Sequence, residues 1–274
     1  MRTAKCSVAL VTALLAFSAA AASDNELPSV GFTTTPYPVV DGMLELAGVG
    51  HDDYLIDLGS GDGRIVIAAA ARGALAHGVE IEPELVALSY ENAREAGVRE
   101  RVRFLAEDFF DTELSMASVV TLYVLESTNI RLKPLLLEHL APGSRVVSHR
   151  YRMGDWEPDA TREIDFREVH QWTIPADFDG RWRWEVQGRR GTLQLQQRFQ
   201  NVEDIRLELD EMMLEVKSAR IEGEHLAIDA QDLQSGTSLV FRGRFQGGSI
   251  KGDILQTVDD QGSLLPWRAD RITQ

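Results

Sequence analysis

Along the first half of the chain, short apolar runs alternate with stretches whose apolar residues recur every three or four positions. Tyr54 to Leu58, His77 to Glu80, Val102 to Asp108, Ala117 to Val124 and Arg145 to His149 have the length and β-branched content of buried strands. Pro36-Tyr37-Pro38 opens a helical stretch carrying Val39, Val40, Met43, Leu44 and Ala47, and Gly48 and Gly50 end it. Arg64 leads a second, alanine-rich helix. Pro83 opens a third, with Val86, Tyr90 and Ala93 on one face and Gly97 as its stop. Pro134 to Leu140 predicts a short fourth helix, and Ala160–Ile164 with Val169–Ile174 a closing antiparallel pair. Strands alternating with helices demand parallel pairing through helical crossovers.

From Gly180 the period changes to two. Trp182/Trp184/Val186, Leu193/Leu195, Ile205/Leu207/Leu209, Leu226/Ile228 and Ile250/Ile254 alternate with polar residues, broken by Gly, Asp and Asn about every ten positions. The expected fold is therefore α/β, a Rossmann-like sheet followed by a smaller all-β domain, a sandwich or barrel. The expected domains are 23–176 and 177–274, behind a leader at 1–22. The tryptophans fit a packed core or the lining of a ligand cavity, and the acidic run from Glu203 to Glu215 fits a solvated strand face.

The leader has a short basic start, Arg2 and Lys5, an apolar run from Cys6 to Ala22, and small residues before Ser23. That layout predicts a signal peptide and a periplasmic or secreted protein, with an uncleaved membrane anchor as the alternative. After cleavage no membrane span is expected. Cleavage after Ala22 removes Cys6, the single cysteine, and with it any disulfide or thiolate chemistry. The formal charge passes from −15 to −17 as Arg2 and Lys5 leave. Such a chain repels polyanions at long range, so no nucleic-acid partner is expected, a local basic patch aside. The histidines show no metal-ligand spacing and no Gly-x-Ser-x-Gly elbow occurs.

The chemistry centres on Asp57-Leu58-Gly59-Ser60-Gly61-Asp62-Gly63, a strand entering a tight turn over a helix N-terminus. Glycines there admit positive φ and let a ligand approach bare backbone. The Gly-x-Gly-x-Gly spacing is one residue shorter than the dinucleotide fingerprint, which disfavours an NAD enzyme. Glu80, at the next strand tip, is placed for a ribose diol, and Asp108, at the third, for an adenine amino group.

With Asp57, these acids resemble the S-adenosylmethionine (SAM) site of class I methyltransferases, a likeness running from about Phe32 to Pro175. The wording Leu58-Gly59-Ser60-Gly61-Asp62-Gly63-Arg64-Ile65-Val66 is similar to the small protein-lysine methyltransferases of the ATP-synthase c-subunit type, as is Met153-Gly154-Asp155-Trp156. The resemblance implies SAM as cofactor, held by Asp57, Gly59, Ser60, Gly61, Glu80 and Asp108, with Thr35 of the Thr35-Pro36 lead-in near its methionine end. It also implies N-methylation of a protein lysine, a small-molecule acceptor being the other possibility. The tetrapeptide Asn/Asp-Pro-Pro-Tyr of amino-methylating relatives is absent; Tyr123-Val124-Leu125-Glu126 stands there. Tyr123 and Glu126 are the candidate catalytic residues on the acceptor side, with Asn129 nearby, and His149 is either a base or a hydrogen-bonded structural histidine. An exported, non-enzymatic binding protein on the same fold is the competing reading, motivated by the leader. The acceptor, the oligomeric state and the job of the all-β domain are not legible.

Overall fold

The computed structural model describes residues 33–259 and 261–272; the leader expected at 1–22 lies outside them. The first sheet is built from β1 (Tyr54–Leu58), β2 (Leu75–Glu80), β3 (Val102–Ala106), β4 (Val119–Leu122), β5 (Arg145–His149), β6 (Ala160–Ile164) and β7 (Arg167–Thr173). Their order is β3-β2-β1-β4-β5-β7-β6. The first five are parallel, and β7 runs antiparallel to both β5 and β6. Chain order reverses between β1 and β4, which opens a crevice at their C-terminal ends.

Helices α1 (Tyr37–Leu46), α2 (Arg64–Ala71) and α3 (Pro83–Glu95) cover one face, and α4 (Glu126–His139) the other. Val39, Val40, Met43 and Leu44 of α1 pack with Ile65, Val66 and Ala69 of α2 over Leu55 and Val147. On the second face Leu132 and Leu136 meet Ile56, Val120, Trp156 and Trp172.

Helix α4 begins eight residues earlier than Pro134 suggests. Proline is favoured in a first turn, but here Pro134 sits mid-helix, where the hydrogen bond to the Ile130 carbonyl cannot form. Burial of Thr128, Asn129, Leu132 and Leu136 on one stripe outweighs that loss.

A second sheet follows: β8 (Gly180–Val186), β9 (Arg189–Arg198), β10 (Asn201–Leu209), β11 (Met212–Met213), β12 (Glu215–Glu222), β13 (His225–Gln231), β14 (Ser238–Gln246), β15 (Ser249–Val258) and β16 (Gln261–Arg271). It is an antiparallel meander in the order β11-β10-β9-β8-β16-β15-β14-β13-β12. Its two ends come together, and the Leu214 amide donates to the Leu207 carbonyl at 2.8 Å. The result is a nearly closed barrel. Trp182, Trp184 and Trp267 are buried in its core, where Trp184, Phe241 and Trp267 meet edge to face at centroid distances of 5.2, 5.3 and 6.4 Å. Gly191 and Gly243 make room for the indoles; a Cβ on Gly243 would lie 2.8 Å from Trp267 Cζ2. Of the two readings of the tryptophans, the packed core is the one observed.

Candidate active site

Strand β1 ends at Leu58, and the loop to α2 turns on Gly59, Gly61 and Gly63 at φ 82°, 54° and 79°. Two of the surrounding glycines are also sterically required. A Cβ on Gly63 would stand 2.8 Å from the Phe104 ring, and one on Gly78 would stand 2.6 Å from Phe104 and 2.7 Å from Ser60 Oγ. The loop is braced throughout. The Gly59 and Ser60 amides donate to the Val79 carbonyl, Ser89 Oγ donates to the Gly61 carbonyl, and Asn92 Nδ2 donates to the Asp62 carbonyl, all at 2.9 Å.

Glu80 shares in this bracing. Its Oε2 accepts from the Gly61 amide at 2.9 Å, and its Oε1 accepts from the Ile81 and Glu82 amides at 2.8 and 3.1 Å. One lone pair of Oε2 stays open. Asp108 lies two residues beyond Ala106, the β3 residue that pairs with Glu80. It caps a short 3-10 turn by accepting from the Phe110 amide at 2.9 Å.

Asp57 is 2 % exposed and accepts from Thr121 Oγ1 at 2.7 Å. Among the described residues it forms no ion pair. Burial pushes its carboxyl up to about 7; the Thr121 hydroxyl pulls the other way, and the neighbouring carboxylates Glu80 and Asp62 add to the rise.

The lead-in segment reaches the same place. Arg64 is held by Asp62, donates from Nη1 to the Thr35 carbonyl at 2.8 Å, and lies 5.2 Å from the Tyr37 ring centre. Thr35, itself buried, sets its Oγ1 3.3 Å from His149 Nδ1 at the end of β5. The His149 ring stacks on Tyr123 with centroids 3.9 Å apart, and Tyr151 continues the stack 6.4 Å from Tyr123. Burial, helped by Arg167 and Arg150, lowers the His149 pKa to about 4, so the imidazole is neutral.

Thr35, Asp57, Gly59, Ser60, Gly61 and Tyr123 thus converge on one crevice, with Glu80 and Asp108 at the two strand tips alongside. Glu126 is the first residue of α4, exposed, with no hydrogen bond or ion pair among the described residues. Asn129 does not face an acceptor. It is fully buried, and its Nδ2 lies 3.1 Å from Ser148 Oγ and the Tyr151 carbonyl and 3.3 Å from the Arg152 carbonyl, bracing the exit from β5. Arg64 and Tyr151 were missed by sequence reasoning. The Asp62-x-Arg64 spacing was the available signal for the first; nothing local marks the second.

Two buried groups at the glycine loop want a partner: among the described residues Ser60 Oγ has none, and Asp57 has no cation. A positively charged ligand with hydrogen-bonding arms fits that set, and bare glycine backbone leaves room for it. A parallel sheet in this order, closed by an antiparallel hairpin and carrying a glycine loop between strand-tip acids, defines a class I methyltransferase.

Residues 57–160 match the family model of the ANTKMT methyltransferase domain. A protein-lysine N-methyltransferase of Saccharolobus islandicus is 40% identical over 141 residues, 51% of this chain and 88% of that one. The lysine N-methyltransferase of the ATP synthase c-subunit from Xenopus laevis is 35% identical over 152 residues, 56% of this chain and 66% of its own length. Among solved structures, an RNA methyltransferase from Salinibacter ruber in complex with S-adenosyl-L-homocysteine is 52% identical, with a TM-score of 0.52, over 53% of this chain and 96% of that one. The chain belongs to this family of small class I methyltransferases, and its cofactor is SAM.

Proposed function

We infer that the enzyme methylates the ε-amino group of a lysine in a protein acceptor. The observation that carries this reading is the neutral, buried His149 imidazole, held by Thr35, stacked on Tyr123 and unpartnered at Nε2 among the described residues. The name of the Saccharolobus islandicus relative supports it, as does a net charge of −15, which disfavours a polyanionic acceptor.

SAM, when bound, supplies a methyl group on a sulfonium. Asp57 and Glu80, the Gly59–Gly61 backbone, Ser60, Asp108 and Thr35 are the residues that would hold it. A lysine must be neutral to attack, and its reference pKa is about 10.4. An imidazole that titrates near 4 cannot store that proton, so the proton leaves to solvent. His149 Nε2 instead accepts a hydrogen bond from the amine N–H and turns its lone pair toward the cofactor. Thr35 and Tyr123 fix the imidazole plane, and the stacked Tyr151 helps exclude water. This is catalysis mainly by alignment.

The Salinibacter ruber relative favours a second reading, an RNA acceptor. Incubating the purified chain with methyl-tritiated SAM and, separately, lysine-containing protein and total RNA distinguishes them. Label in protein, mapped to lysine by mass spectrometry, is expected. Label in RNA alone overturns the reading.

A further inference from the structure

The outer wall of the barrel carries charge unevenly. Strand pairing sets Arg244, Lys251 and Arg268 side by side on one outward row across β14, β15 and β16. The row continues through Glu185 on β8 to Arg190 on β9. Directly opposed like charges destabilise a sheet. Here they are only partly answered, Arg244 by Glu224 at 2.5 Å and Arg268 by Asp270 at 2.7 Å. Lys251, Arg183, Arg190 and Arg242, all exposed, form no ion pair among the described residues. Beside the short β8–β16 ladder lies a hollow of about 430 Å³, lined by Arg183, Arg190, Arg268 and Arg271, with Glu185 and Asp270 in the lining and Asp177 paired to Arg271 at 3.0 Å; Arg183 and Arg190 are left without an ion pair among the described residues.

An apolar row lies on the same outward face. Two register steps from Lys251, Val240, Leu255 and Leu264 stand opposite one another, with Leu255 42% and Leu264 66% exposed. On this face Asp253 stands opposite Arg242 and Asp270 opposite Arg183, which leaves the cations in excess, whereas Asp204, Glu215 and Glu222 on β10 and β12, toward the two ends of the strand order, are each paired with a cation of their own strand.

We propose that the outward face of β14, β15, β16 and β8 is a peripheral docking surface for a bilayer of anionic phospholipid, with the arginine-lined hollow receiving headgroup phosphate. A nucleic acid would answer the cations and leave the leucines in water. A bilayer meets both, because interfacial binding sums buried apolar area and attraction to anionic headgroups. The chain's overall charge does not forbid this. Screening over about 8 Å lets a surface act with its local sign at contact. The proposal concerns the barrel and is independent of which acceptor the methyltransferase site takes.

Flotation of the full chain with vesicles tests it, using phosphatidylcholine alone and phosphatidylcholine with about one third phosphatidylglycerol. The quantity read is the ratio of binding to the two vesicle types, so any apolar attraction common to both cancels. The ratio should exceed about fivefold and collapse in high salt. One cation near the surface is worth about a factor of five, so Lys251→Gln and Arg183→Gln should each lower it by about that much, while Lys251→Arg keeps it. Leu264→Ser should weaken anionic-vesicle binding about tenfold. All variants should melt as the wild type does and bind SAM with its affinity. Equal binding to both vesicle types, or glutamine variants that bind as the wild type does, overturns the proposal. So does an RNA oligonucleotide that binds the wild type and Leu264→Ser alike and is not displaced by anionic vesicles.

Discussion

Asp57 holds its proton in the folded protein over a range where an unfolded aspartate has lost it. Its folded pKa is raised, to about 7 from 3.8, so its contribution to stability is complete below about pH 4 and is lost as pH rises through 7. Asp57→Asn, which keeps an acceptor for Thr121, should therefore raise the melting temperature of the ligand-free protein at pH 8 and change it little at pH 4; scanning fluorimetry at the two pH values checks this. The same substitution should weaken SAM and abolish the proton release that accompanies its binding near pH 7, read by calorimetry in buffers of different ionisation enthalpy. His149 has the opposite sign. Its folded pKa lies below 6.5, so the stability it contributes is present above pH 6.5 and lost as pH falls toward 4. If its Nε2 orients the acceptor amine, His149→Ala should lower kcat/KM for a lysine peptide by about tenfold or more, the worth of a hydrogen bond to a polar reactant. SAM affinity should stay within about twofold, and the pH–rate profile should keep its shape, since a group that titrates near 4 does not set it.

At the scale of elements, the glycine loop and its flanking strands were legible because their chemistry is local. Three glycines at positive φ, a short, largely apolar run before them and an alanine-rich helix after them admit few other conformations. Gly78 shows what was not legible. It reads as an ordinary strand residue, yet its missing Cβ is where Phe104 and Ser60 pack from β3 and the loop. Gly78→Ala should cost about 1–3 kcal/mol by overpacking and should lower SAM affinity by displacing Ser60, both measurable by denaturant titration and calorimetry. Helix α4 began early for a similar reason, since the stripe that buries Asn129 and Leu132 exists only once β5 and its exit segment are in place. In the barrel, alternation marked the strands but could not choose between a closed wall and a sandwich. Closure depends on β10 meeting β12 across a turn, a pairing no short-range pattern encodes.

Over the whole molecule, the barrel is attached far from the strand tips that form the crevice. The Ala176 amide donates to the Gly223 carbonyl at 2.8 Å, and a Cβ on Gly223 would touch Gly143, just before the N-terminal end of β5. Along the α4 side, Asp155 bridges Lys133 and Arg198. Trp156 stacks on Phe199 at 5.6 Å, donates from Nε1 to Gln200 Oε1 at 2.8 Å, and receives the Trp172 indole N–H on its carbonyl. Trp156 is fully buried and belongs to the sheet's core, so one side chain both completes that core and anchors the barrel. Trp156→Ala should cost about 3–5 kcal/mol, and the loss should fall on the coupling between sheet and barrel. Calorimetric unfolding should show a single transition in the wild type and two in the variant. Below the first transition SAM should still bind, because the glycine loop and the Thr35–His149–Tyr123 cluster lie at the opposite end of the sheet. A single, lower transition in Trp156→Ala would mean instead that the two sheets share one cooperative unit whose coupling does not run through this side chain.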